Sequence, residues 1–190
     1  MPFLQPNYTF LCYRDLTPAF LHAQGIKVLL LDIDNTLAPY EQLDPDDHIR
    51  AWLQNMADAG IKTALVSNNR AGRMTRFNAT LQQPSRYSAC KPLPFRGRKV
   101  MKKLGGTRKD TAIMGDQVFT DVLFARSMGI RAILVPPIKD KTNRITRLKR
   151  YFERGVLRRY YKRNPDAPDI RLGSPLTKEH VPPKEETYEK

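Results

Sequence analysis

The run Val28-Leu29-Leu30-Leu31 breaks directly into Asp32-Ile33-Asp34-Asn35-Thr36, and that junction narrows the folds open to the chain. Four consecutive large apolar residues without polar alternation suit a parallel strand covered on both faces. The switch to acids then sets two carboxylates just past the strand's carboxyl end. The pattern recurs. Residues 61–66 form an expected strand closing on Ser67-Asn68-Asn69, and a short one near 87–90 leads into Lys91. Residues 111–114 precede Gly115-Asp116, and 131–135 form the last core strand.

Helical patterns separate these strands. The first has Asp44 as its expected N-cap and Pro45 at its first position, with Asp46 and Asp47 favouring the positive end of the helix dipole. Ile49, Trp52, Leu53 and Met56 make its apolar stripe, on which Trp52 reads as core, and Gly60 ends it. Further helices are expected over 70–81, 95–104 and 118–128. Strands and helices alternating at this spacing predict an α/β fold, a Rossmann-like parallel β-sheet sandwiched by helices with right-handed crossovers. The chain divides into a preamble (1–25), this core (26–138), a basic amphipathic helix (139–163) and a proline-containing tail (164–190) expected to be disordered.

Asp32, Ser67, Lys91 and Asp116 each fall at the carboxyl end of an expected strand. In an open parallel sheet those ends share one edge, where ligands bind. The intervals of 35, 24 and 25 residues each leave room for a crossover. A carboxylate such as Asp32 is a competent nucleophile towards phosphorus and gives an aspartyl-phosphate. Its approach to a phosphate dianion requires positive charge, which Lys91 and a Mg²⁺ would supply. Asp32, Asp116 and the main-chain carbonyl of Asp34 are suitable hard ligands. Ser67, with Asn68 beside it at a helix start, is placed to donate to phosphoryl oxygens. Asp34, two residues after the nucleophile, lies on the same side if the backbone stays extended, as an acid/base would. Asp121 reads either as a group orienting Lys91 or metal-bound water, or as a helix-surface acid.

These residues resemble the motifs of haloacid dehalogenase-superfamily phosphatases. Asp32-Ile33-Asp34-Asn35-Thr36 is similar to the first, DxDxT; Ser67 matches the second, Lys91 the third, and the segment from Gly115 to Asp121 the acidic fourth, in order over about residues 26–136. The resemblance implies a phosphatase, since members with Asp at the place of Asp34 are mainly phosphatases or phosphomutases. Neither gap between motifs has room for a cap domain, so an open site and a large substrate are expected. Asp34-Asn35-Thr36-Leu37 and Ala89-Cys90-Lys91-Pro92 further resemble the YqeG-like, class IIIA branch, which is similar to phosphatidylglycerophosphate phosphatases. That likeness implies phosphatidylglycerophosphate as lead substrate.

Charge bears on partners. Lys and Arg number 33 against 19 Asp and Glu, a formal +14, which points to a polyanionic partner. Residues 86–109 carry nine Lys or Arg and no acid; residues 139–163 carry eleven against two acids. The latter reads either as an interfacial anchor on an anionic membrane, with Tyr151, Phe152, Tyr160 and Tyr161, or as a helix packed on the core through Ile145, Leu148 and Phe152. Competing functions are a soluble-phosphometabolite phosphatase and an RNA- or ribosome-associated module with a vestigial site, although no RNA-binding motif is present. Cys12 and Cys90 cannot form a disulfide framework and read as small buried residues. With no signal-peptide pattern and no bilayer-spanning apolar stretch, a cytoplasmic chain is expected, one able to sit at the inner face of a membrane.

Overall fold

The computed structural model describes residues 3–139 and 144–177. In chain order the elements are β1 (Tyr8–Thr9), α1 (Pro18–Ala23), β2 (Val28–Leu31), α2 (Asp47–Asp58), β3 (Lys62–Val66), α3 (Ala71–Asn78), β4 (Ser85–Arg86), α4 (Phe95–Lys103) and β5 (Thr111–Gly115). A π-helical turn, Val118–Val122, then runs into α5 (Leu123–Met128), β6 (Arg131–Leu134) and α6 (Arg144–Arg163). All six strands are parallel, in the order β1-β6-β5-β2-β3-β4. The expected α/β sandwich is present.

The unbroken apolar run of β2 has the anticipated cause. Leu29 and Leu31 point into one core, with Tyr13, Trp52, Leu65 and Phe77. Val28 and Leu30 point into the other, with Val66, Ile113, Phe124 and Met128. Successive strand side chains alternate faces, so a strand buried on both sides has no polar positions. Trp52 is core: its indole N–H donates to the Leu16 carbonyl and its ring packs edge-on against Tyr13.

Several boundaries differ from expectation. Asp46, not Asp44, caps α2, accepting from the Ile49 N–H at 2.8 Å. Asp44 is drawn instead to the Arg76 guanidinium at 2.8 Å. The preamble is not outside the core, because β1 extends the sheet along β6. The expected strand at 87–90 lies earlier, as β4. Cys90 is exposed, not buried, whereas burial raises the Cys12 thiol pKa.

Helix α6 packs on the domain, with Glu153, Leu157 and Tyr160 buried and Tyr151 and Phe152 facing solvent. The expected stripe through Phe152 is therefore displaced by one residue. The side chains of Ile145, Leu148, Arg147 and Arg150 lie outside the described residues. The structured chain also runs further than expected. Residues 164–177 fold back on the core, where Ile170 and Leu176 are buried and Thr9 donates to the Pro168 carbonyl. Two buried apolar side chains and short helical turns suffice to order a segment whose composition suggested none; residues 178–190 lie outside the described residues. Among the described residues, no helix is long and apolar enough to cross a membrane.

Candidate active site

Asp32 directly follows β2, and its backbone N–H donates to the Met114 carbonyl at 2.9 Å, prolonging the sheet by one residue. Asn35 then turns the chain with φ of 63°, a left-handed conformation that Asn tolerates better than most residues. Ser67 follows β3, and Asp116 follows β5. Lys91 takes a longer route, since β4 ends at Arg86. The backbone continues beside β3, with Ala89 N–H donating to Ser67 O at 2.9 Å, and left-handed residues Ser88 and Cys90 reverse it towards the site.

Asn68 completes that reversal. Its side-chain amide donates to the Lys91 carbonyl at 3.0 Å and accepts the Lys91 N–H at 2.7 Å. The Asn68 side chain is thus occupied at both ends in positioning Lys91.

The Lys91 ammonium, almost wholly buried, donates to Asp32 Oδ1 at 2.6 Å and Asp121 Oδ1 at 2.7 Å. Burial opposes its charge, but Asp121 and Asp32 outweigh burial and hold the ammonium above its ordinary pKa. Asp121 is accordingly a partner of Lys91, not a surface acid. Its other oxygen accepts the Gln117 N–H at 3.2 Å, closing the π-helical turn back on the end of β5. Carboxylate oxygens of Asp32, Asp116 and Asp121 lie within 4.8 Å of one another. Burial pushes the Asp32 carboxyl upward against the pull of Lys91, and the Asp121 and Asp116 charges add to the push. Three buried carboxylates this close repel one another, and Lys91 bonds only two of them through its one charge. A hard divalent cation with oxygen ligands fits such a set.

Asp34 lines a cavity of about 240 Å³ together with Asp32, Ser67, Lys91 and Asp121. Its Oδ2 accepts from Asn69 Nδ2 at 2.7 Å and Ser67 Oγ at 3.3 Å, and its Oδ1 from Arg73 Nε at 3.3 Å. Neither Asn69 nor Arg73 was anticipated. Arg73 lies in the first turn of α3, and the only hint in the sequence was a basic residue where a helix dipole disfavours one. Ser67 Oγ also accepts the Asn69 N–H at 3.0 Å, fixing the hydroxyl beside Asp34.

Gly115 permits the approach of Asp121 to the strand end. A Cβ there would stand 2.2 Å from Asp121 Cγ, closer than any real contact. Gly115→Ala is therefore expected to displace Asp121 from Lys91. It should cost about 1–3 kcal/mol in urea denaturation, the usual penalty for overpacking, and reduce turnover by tenfold or more. Wild-type turnover would mean that the Asp121–Lys91 pair is dispensable.

A model of haloacid dehalogenase-like hydrolases matches residues 15–129. The Bacillus subtilis (strain 168) protein named probable phosphatase YqeG is 32% identical over 142 residues, covering 75% of this chain and 83% of its own. Solved structures with a similar course include the cobalt-bound deoxy-D-mannose-octulosonate 8-phosphate phosphatase of Haemophilus influenzae, 21% identical with a TM-score of 0.46, covering 60% of this chain and 80% of that one. Another is the 3-deoxy-D-manno-octulosonate 8-phosphate phosphatase of Yersinia pestis, 13% identical with a TM-score of 0.46, covering 63% and 77%.

Proposed function

Because the chain belongs to the haloacid dehalogenase-like hydrolase family, as one of its phosphatases, we propose that it hydrolyses phosphomonoesters with Mg²⁺ and with Asp32 as nucleophile. The observation that carries this reading is the joining of Asp32, Lys91, Asp116 and Asp121 in one buried cluster, three of whose members line the same small cavity as Asp34. Asp32, Asp116 and the Asp34 carbonyl would hold the metal, which when bound neutralises phosphate charge and so lets a carboxylate approach it.

The remaining steps belong to the protein's own groups. An Asp32 oxygen forms a bond to phosphorus as the ester P–O bond breaks. Asp34 gives its proton to the departing alkoxide. It then takes a proton from the water that attacks the aspartyl-phosphate, releasing inorganic phosphate and restoring Asp32. Lys91 balances the charge throughout, and Ser67 donates to a phosphoryl oxygen. Arg73 and Asn69 hold Asp34 at the angle this requires. The single Ser67 O–H, given to Asp34 in the free site, turns to the phosphoryl oxygen when substrate binds.

Asp34→Asn should slow turnover of an alkyl phosphate by about 10²–10⁴-fold, the usual worth of a positioned acid/base. The penalty should shrink for p-nitrophenyl phosphate, whose leaving group needs no proton. Equal penalties on the two substrates would remove Asp34 from the acid role.

The lead substrate is phosphatidylglycerophosphate. It is supported by the likeness to the YqeG-like branch and by the absence of a cap: only α2 lies between β2 and β3, and only α3 between β3 and β4. A site without a cap suits a phosphate presented by something large. Phosphate release should be measured with and without Mg²⁺ against phosphatidylglycerophosphate in vesicles and a panel of sugar and nucleotide phosphates. Mg²⁺-dependent release fastest from the lipid is expected. Faster release from a soluble metabolite would replace the substrate, and release unaffected by chelation would remove the metal.

A further inference from the structure

We propose that residues 87–95, the turn that carries Lys91 into the site, are also the surface on which the protein rests against an anionic bilayer, with Leu93 and Phe95 as inserting side chains. The inference builds on the lipid-phosphate reading and assigns the membrane contact to a place that reading leaves open.

Of the eight large apolar side chains that stand exposed among the described residues, three fall on this one short segment: Tyr87 at 46%, Leu93 at 56% and Phe95 at 67%. They stand on the same short segment as Lys91, which is buried two positions before Leu93. The turn is braced. The Ser127 hydroxyl donates to the Pro92 carbonyl at 2.7 Å, the Arg96 guanidinium donates to the Ser88 carbonyl, and Leu93 N–H donates to Cys90 O at 2.8 Å. Pro92 and Pro94 further restrict the backbone on either side of Leu93. An apolar pair held outward by a rigid support loses little conformational freedom on insertion.

The surrounding charge selects the surface. Residues 86–109 contain no acid, and Lys99, Lys102 and Lys103 are exposed on α4, the helix that begins at Phe95. Apolar side chains beside a run of lysines match an interface of acyl chains below anionic headgroups. A nucleic acid would match the lysines and could stack on Tyr87 and Phe95, but it gives the exposed aliphatic Leu93 no partner, whereas acyl chains do. Insertion here would bring the bilayer to the segment that delivers Lys91, whereas the exposed Tyr151 and Phe152 of α6 lie on a different element.

The test is sedimentation with vesicles of phosphatidylcholine alone or mixed with phosphatidylglycerol, a lipid with no phosphomonoester for the catalytic site. The full chain should bind the mixed vesicles and not the neutral ones. Leu93→Asp/Phe95→Asp should weaken that binding by about tenfold or more. Its turnover of p-nitrophenyl phosphate and its oligomeric state by light scattering should be unchanged. Tyr151→Asp/Phe152→Asp should bind as the parent does. The proposal is overturned if the 93/95 variant binds like the parent, or if its loss of binding accompanies a change in oligomeric state, which would make the turn a contact between copies. It is equally overturned if the parent ignores vesicles and retains single-stranded RNA through this turn. Vesicle binding without turnover of an embedded lipid phosphomonoester would support the surface and remove the substrate reading.

Discussion

Asp32→Asn is expected to abolish phosphate release from every substrate, leaving less than about one part in 10⁴ of the parent turnover, because the other carboxylates lining the cavity are held in other roles, Asp34 by Asn69 and Arg73 and Asp121 by Lys91 and the Gln117 N–H. The amide keeps the size of the carboxylate but neither attacks phosphorus nor carries the charge that pairs with Lys91 and a metal. Mixed with substrate, the parent quenched in acid should retain phosphate covalently on Asp32, and the variant should retain none. The variant should nevertheless fold. It removes one of three mutually repelling carboxylates from a buried site, and Asp121 still pairs with Lys91 at 2.7 Å. A folded Asp32→Asn protein with parental, metal-dependent turnover would refute the nucleophile.

Lys91→Ala is expected to have the largest effect on stability. The substitution leaves Asp32 and Asp121 buried without the ammonium that both now contact. Breaking a buried ion pair from one side costs about 3–5 kcal/mol, most of it the penalty of the stranded charge. Urea denaturation without metal should reveal that loss, and adding Asp121→Asn should recover part of it by removing one stranded carboxylate. The deficit should depend on pH with a definite sign. Asp32 already has its pKa raised by burial, and loss of Lys91 raises it further. A carboxyl raised in the folded state favours folding while protonated, so the deficit should be smallest in mild acid and grow as pH rises through the raised value. A deficit independent of pH would mean the damage is one of packing alone. Turnover should fall as well, and Lys91→Arg should restore it only in part. A planar guanidinium does not fit where a compact ammonium is almost wholly enclosed.

The residues legible from sequence were those whose position follows from strand ends. Asp32, Ser67 and Asp116 each come directly after a strand, and the alternation of strands and helices sends all three to one sheet edge. Lys91 was read as the end of a strand at 87–90, but β4 ends five residues before it, and it reaches the site only because Asn68 brings the backbone back. Asn69 and Arg73 escaped notice since their role exists only once α3 packs beside the turn after β2. The α2 cap was misplaced for a similar reason. Asp44 and Asp46 are chemically equal as caps, and a distant Arg76 decides between them. Strand β1 is two residues long, too short for any periodicity. In α6, hydropathy favoured Phe152 as the inward residue, yet Glu153 points inward because its carboxylate accepts the Val118 N–H at 2.9 Å, where the turn carrying Asp121 begins.

The pairing of β1 with β6 sets an order of events during synthesis. Tyr8 lies opposite Ile133 and Thr9 opposite Leu134, so the first strand emerges with its one sheet neighbour among the described residues still untranslated. The Pro168 carbonyl that accepts from Thr9 follows later still. While β2, β3 and β5 can find one another in turn, the opening segment must wait, with its backbone groups solvated, until β6 has left the ribosome. A ribosome stalled before residue 131 would therefore hold a sheet that lacks both β6 and β1, and β1 can join only after β6 has paired with β5.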